Sequence, residues 1–198
     1  MRNVIGLVGS IASGKGTVAQ ILKELGWEYY SLSDRIREEL TKRDLPITRE
    51  WLQDMGDELR SKYGEAILAQ RTSELIAESP HPKIVVDSIR NPAEIKFLRE
   101  HLDAKVAIIG VDASPEVRWR RFVERGRNEN VKTKEEFLAM DARETQEPGE
   151  PHKIDIAGCM KLVDFTIKNE GTPDDLMREL GRFFRQVGET KRRRKEGE

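Results

Sequence analysis

The sequence has little of what marks secreted or membrane proteins. It contains a single cysteine, Cys159, so no internal disulfide can form. Its apolar runs are far shorter than the ~18 residues that a transmembrane helix needs. The first residues, 1–8, do not have the pattern of a signal peptide. We therefore expect a cytoplasmic protein without a membrane-spanning segment.

The sequence also lacks an excess of charge of either sign. Its 198 residues include 35 Lys and Arg against 36 Asp and Glu. This balance excludes a globally basic surface that attracts nucleic acid, so any anion site must be local. The three histidines lack metal-ligand spacing. Because 37% of the residues are hydrophobic, the chain can bury one core, and its length suits one domain.

Five short apolar segments are typical of strands that are buried on both faces. They comprise residues 4–8, 29–32, 84–86, 106–111 and 163–167. Helical periodicity occupies the intervals between them. This alternation predicts an α/β fold with a five-stranded parallel sheet and helices on both of its faces.

Two intervals between these segments are longer than a plain crossover requires. Residues 34–82 carry at least two helices, and Thr48 is a candidate N-cap of the second. Residues 126–155 include a helix that Thr133 and Glu136 open in capping-box spacing. We expect both intervals to be inserts that handle substrate, the first binding the acceptor and the second acting as a lid.

The last predicted helix begins with Pro173 at its first position. It completes a domain that we assign to residues 1–187. Residues 188–198 lack an apolar side chain that could be buried and include five consecutive basic residues at 191–195. We expect a solvated, charged tail, which is the only segment suited to contact RNA or an acidic partner.

A glycine-rich segment between the first strand and the first helix carries the clearest chemical signal. Residues 9–15 follow the pattern G-x-x-x-x-G-K. In this pattern the glycines let backbone N–H groups converge on phosphate oxygens, and the lysine reaches the β- and γ-phosphates. We call residues 9–17 the phosphate loop. Its expected nucleotide contacts come from Gly9, Ala12, Ser13, Gly14, Lys15, Gly16 and Thr17.

The position after Lys15 departs from the usual pattern. It is Gly16, where a serine or threonine hydroxyl usually binds Mg²⁺, and Thr17 follows one residue later. The loop therefore lacks its usual direct metal ligand. We expect Mg²⁺ to be held through water and acidic side chains, with Thr17 on the α-phosphate.

The run Gly14-Lys15-Gly16-Thr17 resembles the loop of adenylate kinase and other nucleoside monophosphate kinases. Residues 30–37 are similar to the end of the second strand in those kinases, and residues 85–90 to the end of the third, with spacing one residue shorter than in typical adenylate kinases. The resemblance implies that Asp34 and Asp87 hold hydrated Mg²⁺. It also implies that Arg37 and Arg90 bind the acceptor phosphate. Each aspartate alone is equally compatible with a capping role.

A helix that begins at Pro115 resembles the helix that leads into the kinase lid. Arg118, Arg121 and Arg125 share one face of this helix. Arg121 and Arg125 lie four residues apart, and their mutual repulsion is easier to accept if phosphate lies between them. The resemblance implies that both stabilise developing charge. Surface ion pairing is the alternative. Arg127 and Arg143 are weaker lid candidates.

The loop at residues 169–172 resembles the segment that packs on the donor base, which implies that Asn169 and Gly171 contact ATP. The amino-acid sequence of this loop is more similar to that of dephospho-coenzyme A kinases. The resemblance covers residues 1–185. The whole pattern is similar to an archaeal group of proteins related to adenylate kinase and to dephospho-coenzyme A kinase.

Together these residues predict a kinase that moves the γ-phosphoryl group of ATP, with Mg²⁺, onto a small nucleotide acceptor. A nucleoside or deoxynucleoside monophosphate is the expected acceptor. Two alternatives stay open. One is phosphorylation of a ribose hydroxyl of dephospho-coenzyme A, with Asp34 as the base. The other is a nucleotide-dependent switch or assembly factor, although the guanine signature Asn-Lys-x-Asp does not occur.

Overall fold

A computed structural model describes residues 2–126, 131–145 and 153–195, with the side chains of 143–145 and 188–195 excepted. Within these residues, five strands form one sheet: β1 (Arg2–Val8), β2 (Glu28–Ser31), β3 (Lys83–Asp87), β4 (Ala104–Asp112) and β5 (Phe165–Lys168). Their order is β2-β3-β1-β4-β5, and every pairing is parallel. The predicted five-stranded parallel sheet is therefore confirmed.

The described residues also form nine helices. These are α1 (Lys15–Glu24), α2 (Leu32–Lys42), α3 (Arg49–Tyr63), α4 (Ile67–Glu78), α5 (Pro92–His101), α6 (Pro115–Arg125), α7 (Lys134–Thr145), α8 (Ile156–Met160) and α9 (Pro173–Lys195). No helix of the described residues is long and apolar enough to cross a membrane.

The helices cover both faces of the sheet, as predicted. Ile5 and Leu7 of β1 point to one face, where α1 and α9 complete a buried apolar core. Val4 and Val8 point to the other face, where α2, α3, α4, α5 and α8 pack. Because successive side chains of a strand enter opposite cores, the strands read as continuous apolar runs rather than as alternating ones.

The interval 34–82 forms most of α2 and all of α3 and α4. The Thr48 side chain caps α3 by accepting a hydrogen bond from the Trp51 backbone N–H at 3.3 Å, as its position predicted. The capping box that opens α7 is also present. The Thr133 hydroxyl accepts from the Glu136 N–H at 3.2 Å, and the Glu136 carboxylate accepts from the Thr133 N–H at 3.1 Å.

The last helix, α9, starts at Pro173 and buries Leu176, Leu180 and Phe183. It does not end at Val187, where the sequence placed the start of a tail. Its backbone stays helical to Lys195. Lys, Arg and Glu are good helix formers, so this charged segment extends the helix through Gly188, although a glycine inside a helix costs about 1 kcal/mol relative to alanine.

The order of the strands fixes where a ligand can bind. The chain passes from the central strand β1 to β2 and β3 on one side and then to β4 and β5 on the other, so the carboxyl end of β1 lies at a topological switch point. Ligands of open α/β sheets bind at such points, beyond the carboxyl ends of the strands. The phosphate loop begins there.

Candidate active site

The phosphate loop makes a tight turn between β1 and α1. Ala12 and Gly14 have positive φ angles of 58° and 98°, and Gly14 caps α1 from the left-handed region. A Cβ atom on Gly9 would clash with the backbone carbonyl of Val111 in β4. Glycine at position 9 therefore lets the loop pass next to the sheet.

Several features of the loop suit it to bind an anion. No side chain caps the N-terminus of α1, which is the positive end of this helix. The Ser13 hydroxyl is buried and has no hydrogen-bond partner among the described residues. Gly16 is exposed, and a Cβ there would meet nothing within 4 Å. Thr17 is exposed in the same turn. These features fit a bound polyphosphate.

Lys15 pairs with Asp87, the last residue of β3. The Asp87 side chain also accepts a hydrogen bond from the Tyr29 hydroxyl at 3.1 Å and from the Ser88 N–H. Burial, followed by the charge of Asp87, raises the pKa of Tyr29 to about 12, so its phenol remains a donor at neutral pH. Asp87 is thus a buried carboxylate that is fixed by three donors next to the phosphate loop. Sequence reasoning missed Tyr29.

Asp34 occupies a different setting. It lies in the first turn of α2, where its carboxylate accepts a hydrogen bond from Arg37 at 3.1 Å. Both side chains are about half exposed, with 46% and 44% of their surface accessible. An acidic residue in the first turn also stabilises the helix, so the capping alternative retains support. After burial and the charge of Asp87, the charge of Asp34 also contributes to the raised pKa of Tyr29.

Three serine hydroxyls connect the ends of β2 and β3. The Ser31 hydroxyl lies 2.9 Å from that of Ser33 and 3.0 Å from that of Ser88. Arg37 donates to the Ser33 hydroxyl at 2.7 Å. Ser88 follows Asp87 with a positive φ of 64°, which turns the chain sharply at the strand end. No sequence motif marks this group of serines.

Next to these serines is a cavity of about 310 Å³, which we call the arginine-lined cavity. Its wall carries four arginines and no carboxylate among the described residues. The lining residues are Ser33, Ile36, Arg37, Arg49, Leu52, Gln53, Arg60, Ser88, Arg90 and Ile154. The structure thus brings Arg37 and Arg90 to one cavity, and it adds Arg49 and Arg60, which sequence reasoning missed.

A buried ion pair supports this wall from behind. Arg60 of α3 donates to the fully buried Glu94 of α5 at 3.3 Å. Glu94 also accepts from the backbone N–H groups of Arg90 and Asn91, at 2.8 and 3.1 Å. The carboxylate therefore fixes the chain at Arg90, and Arg60 places a positive charge beside it in the interior.

Arg121 joins two loops of the site. It donates to the backbone carbonyls of Asn169 at 2.9 Å and Gly171 at 3.3 Å, and the Asn169 side-chain amide donates to the Ser13 carbonyl at 2.9 Å. Burial, and then the charge of Arg120, lowers the pKa of Arg121. The predicted donor-base loop is therefore tied to the phosphate loop, with Arg121 holding it in place.

Arg125 lies in the exposed last turn of α6 and makes no ion pair with the side chains that the structure describes. Arg118, which the sequence placed on the same face of α6, is buried instead. It forms a two-point ion pair with Asp141 of α7, with one distance of 2.7 Å, and lies 3.4 Å from the Ile11 carbonyl of the phosphate loop. Arg127 and the side chain of Arg143 fall outside the described residues.

A metal would have few protein ligands here. The described residues contain no group of three or more His, Cys, Asp or Glu side chains able to hold one. Mg²⁺ commonly binds one or two carboxylates together with water and substrate phosphates, a donor set that Asp87 and Asp34 fit. Cys159 is buried in the apolar core, and burial raises the pKa of its thiol, so it is a packing residue.

Comparison with known proteins places this geometry in context. A family model described as "AAA domain" matches residues 5–146. A "UPF0200 protein" of Pyrococcus horikoshii is 32% identical over 187 residues, which cover 93% of this chain and 97% of that protein. A "UPF0200/UPF0201 protein" of Archaeoglobus fulgidus is also 32% identical, over 179 residues, and this chain spans 53% of its length.

A solved structure shows the same fold at low identity. Shikimate kinase from Acinetobacter baumannii, in complex with shikimate, matches with a TM-score of 0.54 and 19% identity. The match covers 94% of this chain and 95% of that one.

Proposed function

The chain belongs to the UPF0200 family and contains an AAA domain with the fold of P-loop kinases, and from this premise we propose that it transfers the γ-phosphoryl group of ATP to a nucleoside or deoxynucleoside monophosphate. The observation that carries the proposal is the arginine-lined cavity next to the pair of Lys15 and Asp87. Such transfer depends on positioning and on charge neutralisation more than on covalent catalysis.

The donor side of the site has the groups that ATP needs. The N-terminus of α1, the buried Ser13 hydroxyl and Lys15 provide donors for the phosphates. Asn169 and Gly171 would contact the donor base. Asp87 would orient Mg²⁺, with Asp34 acting through water, and the metal would supply neutralisation of phosphate charge.

The acceptor side suits a phosphorylated molecule of modest size. Arg37 and Arg90 provide guanidinium groups, which bind phosphate with two parallel hydrogen bonds. Gln53 offers an amide for hydrogen bonds to a base or sugar, and Ile36 and Leu52 offer apolar contact. The volume of about 310 Å³ lies at the lower end of the ~300–1,000 Å³ typical of ligand pockets. A single nucleotide matches this size better than a large coenzyme does.

A hydroxyl acceptor is the second candidate, and Asp34 is the observation that favours it. Its half-exposed carboxylate lies beside Ser33 and Arg37, which line the cavity, and can take a proton from a substrate hydroxyl. A phosphate acceptor needs no such base. Asp34→Asn should therefore lower kcat by roughly 10²-fold or more for a hydroxyl acceptor, and much less for a nucleoside monophosphate.

An acceptor panel tests the proposal directly. ADP formation from ATP and Mg²⁺ is measured with each common nucleoside and deoxynucleoside monophosphate, with dephospho-coenzyme A, with shikimate and gluconate, and without acceptor. We expect at least one monophosphate to raise the rate well above basal hydrolysis and to yield the diphosphate. Turnover with a hydroxyl acceptor alone would support the second candidate.

Acceptor-independent hydrolysis alone would support a nucleotide switch and contradict both kinase proposals. Lys15→Met should remove the acceptor-dependent rate, because a preorganised charge contact commonly contributes ~10²-fold or more. Lys42→Met, at the exposed end of α2, is the matched control and should keep it.

A further inference from the structure

A second cavity lies at the amino-terminal ends of the strands, whereas the phosphate loop lies at their carboxyl ends. It has a volume of about 420 Å³ and opens between the end of α1 and the end of α9, next to the first residues of the central strands. About five residues of β1 separate Asn3 at this end of the strand from Val8 at the other end. At ~3.3 Å per residue the two sites are roughly 17 Å apart. Neither the donor nor the acceptor contacts proposed above reach it.

The walls of this cavity are apolar and aromatic. Ile5 and Ala107 form its floor, and Trp27, Phe183 and Phe184 form its sides. The Trp27 and Phe184 ring centroids are 6.1 Å apart, and those of Phe183 and Phe184 are 5.3 Å apart. Protein interiors are normally close-packed, so an open space of this size against aromatic rings is unusual.

The rim of the cavity is basic. Asn3 of β1 pairs in register with Lys83 of β3 on one side and with Lys105 of β4 on the other. The three side chains therefore form a row on the sheet face that also carries Ile5 and Ala107. Since two strand spacings separate the lysines, their Cα atoms are about 10 Å apart. We call this space the lysine-rimmed cavity.

The described residues place no carboxylate on this rim. Lys83 and Lys105 make no ion pair with the side chains that the structure describes, and the lining residues include no carboxylate. Two ammonium groups and the Asn3 amide therefore converge on one apolar space. Largely apolar pockets with a few convergent polar groups are typical ligand sites.

We propose that the lysine-rimmed cavity binds a small amphipathic organic anion, with a flat or chain-like apolar body against Trp27 and Phe184 and a carboxylate, sulfonate or phosphate at Lys83 and Lys105. The charge of the rim selects against cationic and basic occupants. The basic residues 191–195 that follow the cavity in sequence are therefore unsuited to fill it.

The experiment uses two probes of this chemistry with the full chain. 8-Anilinonaphthalene-1-sulfonate combines aromatic rings with a sulfonate, and its fluorescence rises on binding. Decanoate combines a chain with a carboxylate. We expect saturable binding of one naphthalene probe per protein chain. Decyltrimethylammonium has the same alkyl chain as decanoate and the opposite charge. Decanoate should displace the probe at a concentration at least tenfold lower than decyltrimethylammonium does. Displacement by neither decyl compound, or equally by both, would contradict the proposal.

Substitutions locate the probe. The double variant Lys83→Gln/Lys105→Gln should weaken binding of both anions tenfold or more. The matched control Lys42→Gln/Lys96→Gln, which removes two exposed lysines from α2 and α5, should not. Ala107→Leu should block binding by filling the floor, with circular dichroism to confirm folding. If Ala107→Leu does not fold, the lysine variants decide the question, because both rim lysines are only partly buried or exposed.

The donor site provides the remaining control. Mg²⁺ and ATP should leave the bound naphthalene probe in place, because the phosphate loop lies at the opposite ends of the strands. Displacement by ATP would place the probe in the nucleotide site and overturn the proposal. So would an equal loss of affinity in the two lysine double variants.

Discussion

At the scale of single residues, Gly16 is the most informative position in the phosphate loop. It lies at the second position of α1, is exposed, and has an open space where a Cβ would be. Glycine within a helix costs about 0.5–1 kcal/mol relative to alanine. The absence of a side chain is therefore not required by packing, and it removes the hydroxyl that would bind Mg²⁺ directly.

We expect Gly16→Ser to fold normally and to lower the Mg²⁺ concentration that gives half-maximal turnover several-fold. Gly16→Ala supplies the Cβ without the hydroxyl. It should raise stability by up to about 1 kcal/mol and leave the Mg²⁺ requirement unchanged. A Mg²⁺ titration of turnover, with thermal unfolding in parallel, checks both. If serine and alanine act alike, the hydroxyl does not reach the metal.

The raised pKa of Tyr29 predicts how stability depends on pH. Its value in the folded protein is about 12, against 10.0 in the unfolded chain, because burial and Asp87 disfavour the phenolate. The stabilising contribution is complete below pH 10 and is lost as the pH rises from 10 to 12. The expected loss in the free energy of unfolding is on the order of 1–2 kcal/mol.

Chemical unfolding of Tyr29→Phe and of the parent at several pH values measures this effect. The parent should lose more stability than Tyr29→Phe between pH 10 and 12. Tyr63→Phe, at an exposed tyrosine, is the matched control and should follow the parent. Parallel curves for all three proteins would show that Tyr29 is not coupled to Asp87.

At the scale of secondary-structure elements, α6 separates three arginines that the sequence placed on one face. Arg118 is buried against α7 and the phosphate loop, Arg121 binds the loop after β5, and Arg125 is exposed. Phe137 of α7 is fully buried and packs against Phe122 of α6, with the two ring centroids 5.0 Å apart. The part of the expected lid that the structure describes is therefore anchored to α6.

The pair of Arg118 and Asp141 predicts a large effect on stability. Both side chains are less than 10% exposed, at 8% and 9%. Asp141→Leu leaves a buried, unpaired guanidinium and should cost about 3–5 kcal/mol. The double variant Arg118→Met/Asp141→Leu should recover at least about 1 kcal/mol of that loss, because neither charge remains buried.

Urea unfolding of the single and double variants measures this coupling. The exposed pair of Arg182 and Glu179 on α9 is the control, and Arg182→Met should change stability by less than about 0.5 kcal/mol. An Asp141→Leu protein as stable as the parent would mean that the buried pair is not formed in solution.

The two remaining arginines of α6 should differ in kinetics. Arg121→Ala releases the loop that carries Asn169, so it should raise the KM for ATP. Arg125→Ala should mainly lower kcat, by roughly 10²-fold if it stabilises developing charge. Arg120→Ala, at an exposed position of the same helix, is the control and should do neither. Steady-state kinetics with ATP varied separate these outcomes, and unchanged constants for Arg125→Ala would make it a surface residue.

At the scale of the whole molecule, sequence patterns predicted the structural features that depend on residues close together in the chain. The apolar runs predicted all five strands, and the spacing of Thr133 and Glu136 predicted the start of α7, because each signal lies within a few residues. The contacts of the site are different. The Tyr29–Asp87 hydrogen bond joins residues 58 positions apart, and the Arg60–Glu94 pair joins residues 34 apart.

Such contacts depend on which helix packs next to which strand, and periodicity does not specify that. An arginine on α3 reads as a solvated charge until the fold buries it beside Glu94. The resemblance to kinases brought Arg37 and Arg90 to notice because they follow strand ends. Arg49 and Arg60 lie in the interval between strands, where no comparable motif marks them.

A nucleotide and an acceptor that bind at separate places on one domain should stabilise it independently. A ligand at 100 times its Kd adds about 2.7 kcal/mol to the unfolding free energy, and a chain of this length gains about 2–4 °C in Tm per kcal/mol. A non-hydrolysable ATP analogue and the preferred monophosphate should therefore each raise the Tm by roughly 5–10 °C. Lys15→Met should reduce only the shift caused by the analogue, and Arg37→Ala only that caused by the monophosphate. Loss of both shifts in both variants would mean that the two ligands share one site, and the arginine-lined cavity would then not be the acceptor site.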